Sequence, residues 1–60
     1  MNTVILMIET QDEIIKRVRY VNTQGKLKIA DLSALNLNAF NVDDKRLVDI
    51  IEALEYLHEW

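Results

Sequence analysis

From Asp43 to Trp60 the chain reads DDKRLVDIIEALEYLHEW. At about 100° per residue, Leu47, Ile50, Ile51, Leu54 and Leu57 gather on one narrow face, and Asp49, Glu52, Glu55 and Glu59 lie away from it. The spacing predicts a helix. Asn41 or Asp43 can cap its start, Asp44 sits where the helix dipole favours an anion, and no Gly or Pro interrupts the run. Upstream, Thr3 to Glu9 (TVILMIE) is a continuous apolar run with β-branched residues, short enough for a buried strand. A helix running on into the next segment is the alternative, because no breaker stands between Thr3 and Asn22.

Residues 14 to 29 fit two periods. With period two, Arg17-Val18-Arg19-Tyr20 and Lys26-Leu27-Lys28-Ile29 both alternate basic with apolar, on either side of Asn22-Thr23-Gln24-Gly25, whose Asn and Gly suit a turn. With period 3.6, Ile14, Ile15, Val18 and Val21 share a face, Thr10 to Glu13 matches a capping box, and Gly25 stops the helix. The hairpin is the preferred reading, because two segments alternate in step around one turn. From Leu32 to Val42, apolar residues mix with Asn36, Asn38 and Asn41, which predicts one or two irregular helical turns.

Together these elements predict a small α+β domain spanning 1–60. Strands near 3–9, 14–21 and 26–31 form an antiparallel meander, and the C-terminal helix covers its apolar face. The expected core is Val4, Leu6, Ile8, Val18, Tyr20, Leu27, Ile29, Leu32, Phe40, Leu47, Ile50, Ile51, Leu54 and Leu57.

Composition narrows the picture. A chain of 60 residues buries only about 60% of the surface it exposes when unfolded. There are no cysteines for disulfides, and one histidine cannot close a zinc site, so self-association, a homodimer first, is the expected source of added stability. The apolar run at Val4 to Ile8 is too short for a membrane span or a signal peptide. A soluble, cytoplasmic protein is therefore expected. The net charge of −3 weighs against a general nucleic-acid binder. Its distribution is bipolar, with Lys16, Arg17, Arg19, Lys26 and Lys28 in the middle third and most acid elsewhere.

Candidate chemistry is sparse. His58 has no cysteine partner, Ser33 stands in no nucleophile motif, and a single glycine cannot build a phosphate-cradling loop. The acidic pairs Asp43/Asp44 and Glu55/Glu59 suit capping and a solvated face, and no zinc or calcium ligand spacing occurs. No catalytic residue, metal or cofactor is expected. Two surfaces stand out instead. On paired strands, Arg17, Arg19, Lys26 and Lys28 would project from one face, opposite Val18, Tyr20, Leu27 and Ile29. Like charges across strands repel, so an acidic protein surface, another copy included, or less readily a nucleic-acid backbone, would relieve them. On the final helix, Tyr56 and Trp60 lie four apart beside Ala53, where amphipathic aromatics suit a binding edge.

One partial resemblance bears on the alternative. GKLKIADLSAL, Gly25 to Leu35, looks like the entry of winged-helix DNA-binding domains, and Asn41-Val42-Asp43 followed by KRLVDIIEALEYL is similar to their turn and third helix. The resemblance covers about 45 residues and implies a helix over Gln11 to Thr23 and a DNA-binding regulator. Leu32 to Val42 is longer than the usual second helix, no wing follows in this sequence, and Asp43, Asp44, Asp49 and Glu52 would repel phosphates. The primary expectation is a non-catalytic protein-interaction module of the small regulatory or inhibitor kind, with contacts at Arg17, Arg19, Lys26, Lys28, Tyr56 and Trp60.

Overall fold

A computed structural model describes residues 2–58. Three strands, β1 (Val4–Gln11), β2 (Ile14–Val21) and β3 (Leu27–Asp31), form an antiparallel sheet in the order β1-β2-β3. A short 3-10 turn at Ser33–Leu35 follows, and then the helix α1 (Asp44–His58). The α+β meander is thus the fold. Because Ile14–Val21 is a strand, the first helix that the winged-helix resemblance implies is absent.

Asn22 shows why the hairpin wins over the helix. Its buried side-chain oxygen accepts from the amides of Gln24 at 3.0 Å and Lys26 at 2.9 Å, and Gly25 takes a φ of 80° that its missing Cβ allows. The amide and carbonyl of the same residue close the turn, with Asn22 N donating to Lys26 O and Gly25 N to Asn22 O, both at 2.9 Å. The connection between β1 and β2 has no glycine, and Asp12 and Glu13 both take positive φ, 53° and 67°. That is the handedness a two-residue hairpin loop demands.

The core is Ile15, Val18, Tyr20, Ala30, Leu32, Leu47 and Ile51, with Ile5, Leu37, Ala39, Val42 and Leu54 packed around it. Leu47 and Ile51 lie one helical turn apart, which puts them on the stripe of α1 that meets the sheet. Asp43 starts the helix by accepting the Arg46 amide at 2.8 Å. Farther along, Glu55 anchors it. The Tyr20 hydroxyl donates to Glu55 Oε2 at 2.8 Å, and Asn22 Nδ2 lies 3.4 Å from the same oxygen. Alongside the start of β2, Asn38 forms an antiparallel bridge with Ile14, Ile15 N donating to Leu37 O at 2.9 Å and Ala39 N to Glu13 O at 2.8 Å, so the loop before α1 is stitched to the start of β2.

Several expected core residues are outside it. Val4, Leu6, Ile8, Leu27, Ile29, Phe40 and Leu57 are exposed, and Ile50 is half-buried. Ile8 pairs with Val18 on the inner face and is exposed at the sheet edge, whereas Leu27 and Ile29 are corrected by register. Arg19 pairs with Ile29, Tyr20 with Lys28 and Val18 with Ala30, because five residues, not four, connect β2 to β3. Residues directly opposite in an antiparallel pair share a face, so Leu27 and Ile29 fall on the side of Arg17 and Arg19, away from α1. In β1 the run is apolar throughout, and a bulge at Leu6 separates the pairs Ile5–Tyr20 and Met7–Arg19, turning Ile5 inward and Met7 outward.

Candidate interaction surface

The sheet face turned away from α1 is built of three cross-strand rows. At one end Glu9, Arg17 and Asp31 stand side by side. Met7, Arg19 and Ile29 form the middle row, and Val4, Val21 and Leu27 form the third, with the bulged Leu6 beside it. Leu27 is 70% exposed, Ile29 56%, Leu6 55% and Met7 50%. Two shallow grooves flank the Arg19–Ile29 ridge: Met7, Glu9 and Arg17 line one, and Leu6 and Leu27 the other, where the backbone of β3 at Lys28 closes it. An antiparallel sheet with one solvated face normally alternates apolar inside and polar outside. Here both faces carry large apolar side chains.

Charge on this face is ordered. Arg17 forms an ion pair with Glu9, its Nε donating to Glu9 Oε1 at 3.0 Å. That hydrogen bond, the Glu9 charge and Asp31 beyond it hold the guanidinium above its already high ordinary pKa. Asp31 accepts from Ser33 Oγ at 2.6 Å and from the Ser33 amide at 3.0 Å. Those bonds, with the charges of Arg17 and Lys16, lower its carboxyl below the usual value. Arg19 has no ion-pair partner among the described residues.

Register therefore divides the residues singled out from sequence. Arg17 and Arg19 share the outer face. Lys28 does not join them: it is half-buried in the row of Tyr20, on the side of the sheet that α1 covers. Lys26 is exposed at the hairpin turn. The four-cation face is thus corrected to two arginines set among apolar residues and two acids, because the odd loop length shifts β3 by one position relative to the alternation of β2. Tyr56 is exposed beside Thr23, Gln24, Glu52 and Glu55 on a separate side of the molecule. Trp60 and the side chain of His58 lie outside the described residues.

Leu6, Leu27 and Ile29 were expected in the core and are surface residues, and Met7 joins them there. The sequence signal that separates the two outcomes is the apolar run from Val4 to Ile8, which offers a large side chain to both faces at once. Among the described residues no helix is long and apolar enough to cross a membrane, and no three His, Asp or Glu side chains cluster as metal ligands would. No family model, curated protein or solved structure matches the chain.

Proposed function

We infer that the chain is a non-catalytic protein-interaction module of the small regulatory kind, working in the cytoplasm, and that its contact is the outer face of the sheet. One observation carries this reading: a three-stranded antiparallel sheet with Leu6, Met7, Leu27 and Ile29 exposed on the side opposite its own helix. Contiguous apolar surface rimmed by charged residues marks interaction sites. Arg19 adds a cation that an acidic group on the partner can pair, and arginine set among apolar side chains is a recurrent anchor. Tyr56, on the helix side, is a secondary contact in this reading.

The nucleic-acid alternative has less support. Its basis was the winged-helix resemblance, whose first helix is a strand here, and the outer face carries as many acids as bases.

Incorporating a photo-crosslinking amino acid at Ile29, with Lys45 on the exposed helix surface as the control, tests the reading in cells. The expected result is a discrete adduct from position 29 and none from position 45. A crosslink-silent face at both Ile29 and Leu27, in a variant that still folds, refutes it. Titration of fluorescent duplex DNA at low salt checks the alternative, for which saturable, salt-sensitive binding is required.

A further inference from the structure

We propose that the occupant of this face is a second copy of the chain, packed sheet against sheet about a two-fold axis that runs parallel to the strands between β2 and β3. The proposal rests on reading the outer face as an interface, and it names the partner.

The charge pattern leads to this geometry. Glu9, Arg17 and Asp31 form a row of alternating sign across the three strands, which are spaced about 4.8 Å apart. Two copies stacked squarely on β2 would set Arg17 on Arg17 and Arg19 on Arg19. Displacing one copy by a single strand toward β3 changes every contact. Each Arg17 then meets the other copy's Asp31, and the relation is reciprocal, as a two-fold interface requires. Each Arg19 lies over the other copy's Ile29, its stem on the apolar side chain and its guanidinium within one row of that same Asp31. Leu27 covers Val21. The carboxylate that Arg19 lacks within its own chain comes from the second copy.

Displacement toward β3 is favoured over β1 on two grounds. Glu9 is already committed to Arg17 in the same chain, whereas Asp31 is held by Ser33 and has no ion pair among the described residues. Leu27 and Ile29 are also the most exposed apolar residues on the face.

Net charge agrees with self-association at this surface. The chain carries −3 overall, which makes copies repel, but the face holds Glu9 and Asp31 against Arg17 and Arg19 and is neutral. After the one-strand displacement only β2 and β3 of each copy overlap, two strands by about five residues or roughly 5 by 17 Å between strand axes, well below the ~800 Å² per partner of a standard interface. The dimer is accordingly weak, with a dissociation constant on the order of micromolar or above.

Sedimentation velocity from about 1 µM to 1 mM, the range over which a weak dimer forms, tests the proposal on the wild type and on Arg19→Glu and Ile29→Asp. Both side chains are exposed in the single chain, and circular dichroism at the lowest concentration verifies that each variant is folded. The expected result is a reversible monomer–dimer equilibrium, weakened at least about tenfold by each substitution, which corresponds to about 1.4 kcal/mol. A wild type that stays monomeric throughout overturns the second copy as occupant. A dimer that ignores both substitutions overturns it too, because association then uses another surface. Failure here is separable from failure of the interface reading: an adduct from position 29 at twice the 7.0 kDa chain mass points to self-association, and one with a different protein leaves the face an interface with another occupant.

Discussion

Tyr20→Phe removes one hydroxyl and tests how α1 is fixed to the sheet. Tyr20 is fully buried in the central strand, and its hydroxyl donates at 2.8 Å to the half-buried carboxylate of Glu55, 35 residues away in sequence. A hydrogen bond to a charged acceptor contributes about 1.5–3 kcal/mol. The phenyl ring keeps its packing in the variant, so the loss falls on the hydroxyl's hydrogen bonding, of which the bond to Glu55 ties the sheet to α1. Asn22 Nδ2, at 3.4 Å, is too distant to take over the acceptor fully. The expected destabilisation is therefore about 2 kcal/mol, which in a domain of this size lowers the melting temperature by roughly 8–16 °C. Urea denaturation followed by circular dichroism at one fixed protein concentration measures it, with the m-value unchanged. Glu55→Gln and the double variant complete a thermodynamic cycle, and a coupling of at least about 1 kcal/mol is expected between the two positions. A Tyr20→Phe protein within about 0.5 kcal/mol of wild type, with no coupling to Glu55, would refute the view that this bond fixes the helix.

Three further outcomes follow from burial, backbone and charge. Ile51→Ala should cost about 2–5 kcal/mol, against less than about 0.5 for Leu57→Ala, because Ile51 is fully buried and Leu57 is 70% exposed; comparison of urea midpoints checks the pair. Replacing Asp12-Glu13 by Asn-Gly should stabilise by about 1 kcal/mol, since both residues hold positive φ that the new pair adopts more easily, and a drop in thermal midpoint would contradict it. For Asp31 the folded carboxyl is lowered, first by the Ser33 hydroxyl. Its contribution is present above the unfolded-state pKa and is lost as pH falls through the folded value, so the window lies on the acid side of an ordinary aspartate. An NMR titration of Asp31 in Ser33→Ala should move back toward the ordinary value; no movement would break the assignment.

The helix and the hairpin between β2 and β3 were both legible from local signals. Asp44–His58 is announced by an apolar stripe at helical spacing and an acidic start, and these depend on neighbouring residues alone. The turn at Asn22 to Gly25 is likewise local, since one Asn side chain bonds two amides and one Gly takes a positive φ. The face assignment of β3 was not legible, because it depends on the parity of the connection, and Lys26 leaves the strand to join the turn. One residue of slip transfers the whole alternation to the other side of a sheet. β1 was ambiguous for another reason: VILMI has no polar position to declare an outside, and the bulge at Leu6 breaks the period as well. The candidate surface was therefore half visible. Arg17 and Arg19 were identified from sequence, but their setting among Leu6, Met7, Leu27 and Ile29 emerged only from register.

The bulge at Leu6 also governs what the free edge of β1 can become. An edge strand that opens with five apolar residues, Val4 to Ile8, and has open amides and carbonyls is a template on which identical strands add and fibrils grow. Leu6 interrupts that template within its apolar part, and the register shifts again between Glu9 and Thr10. Because Ile5 and Met7 already pair with successive residues of β2, deleting Leu6 would leave each remaining side chain on its present face and straighten the edge. Such a deletion variant should fold to the same sheet yet bind thioflavin T and pellet on standing, while the parent chain stays clear. On this reasoning one extra leucine is the device that would keep an adhesive edge from propagating.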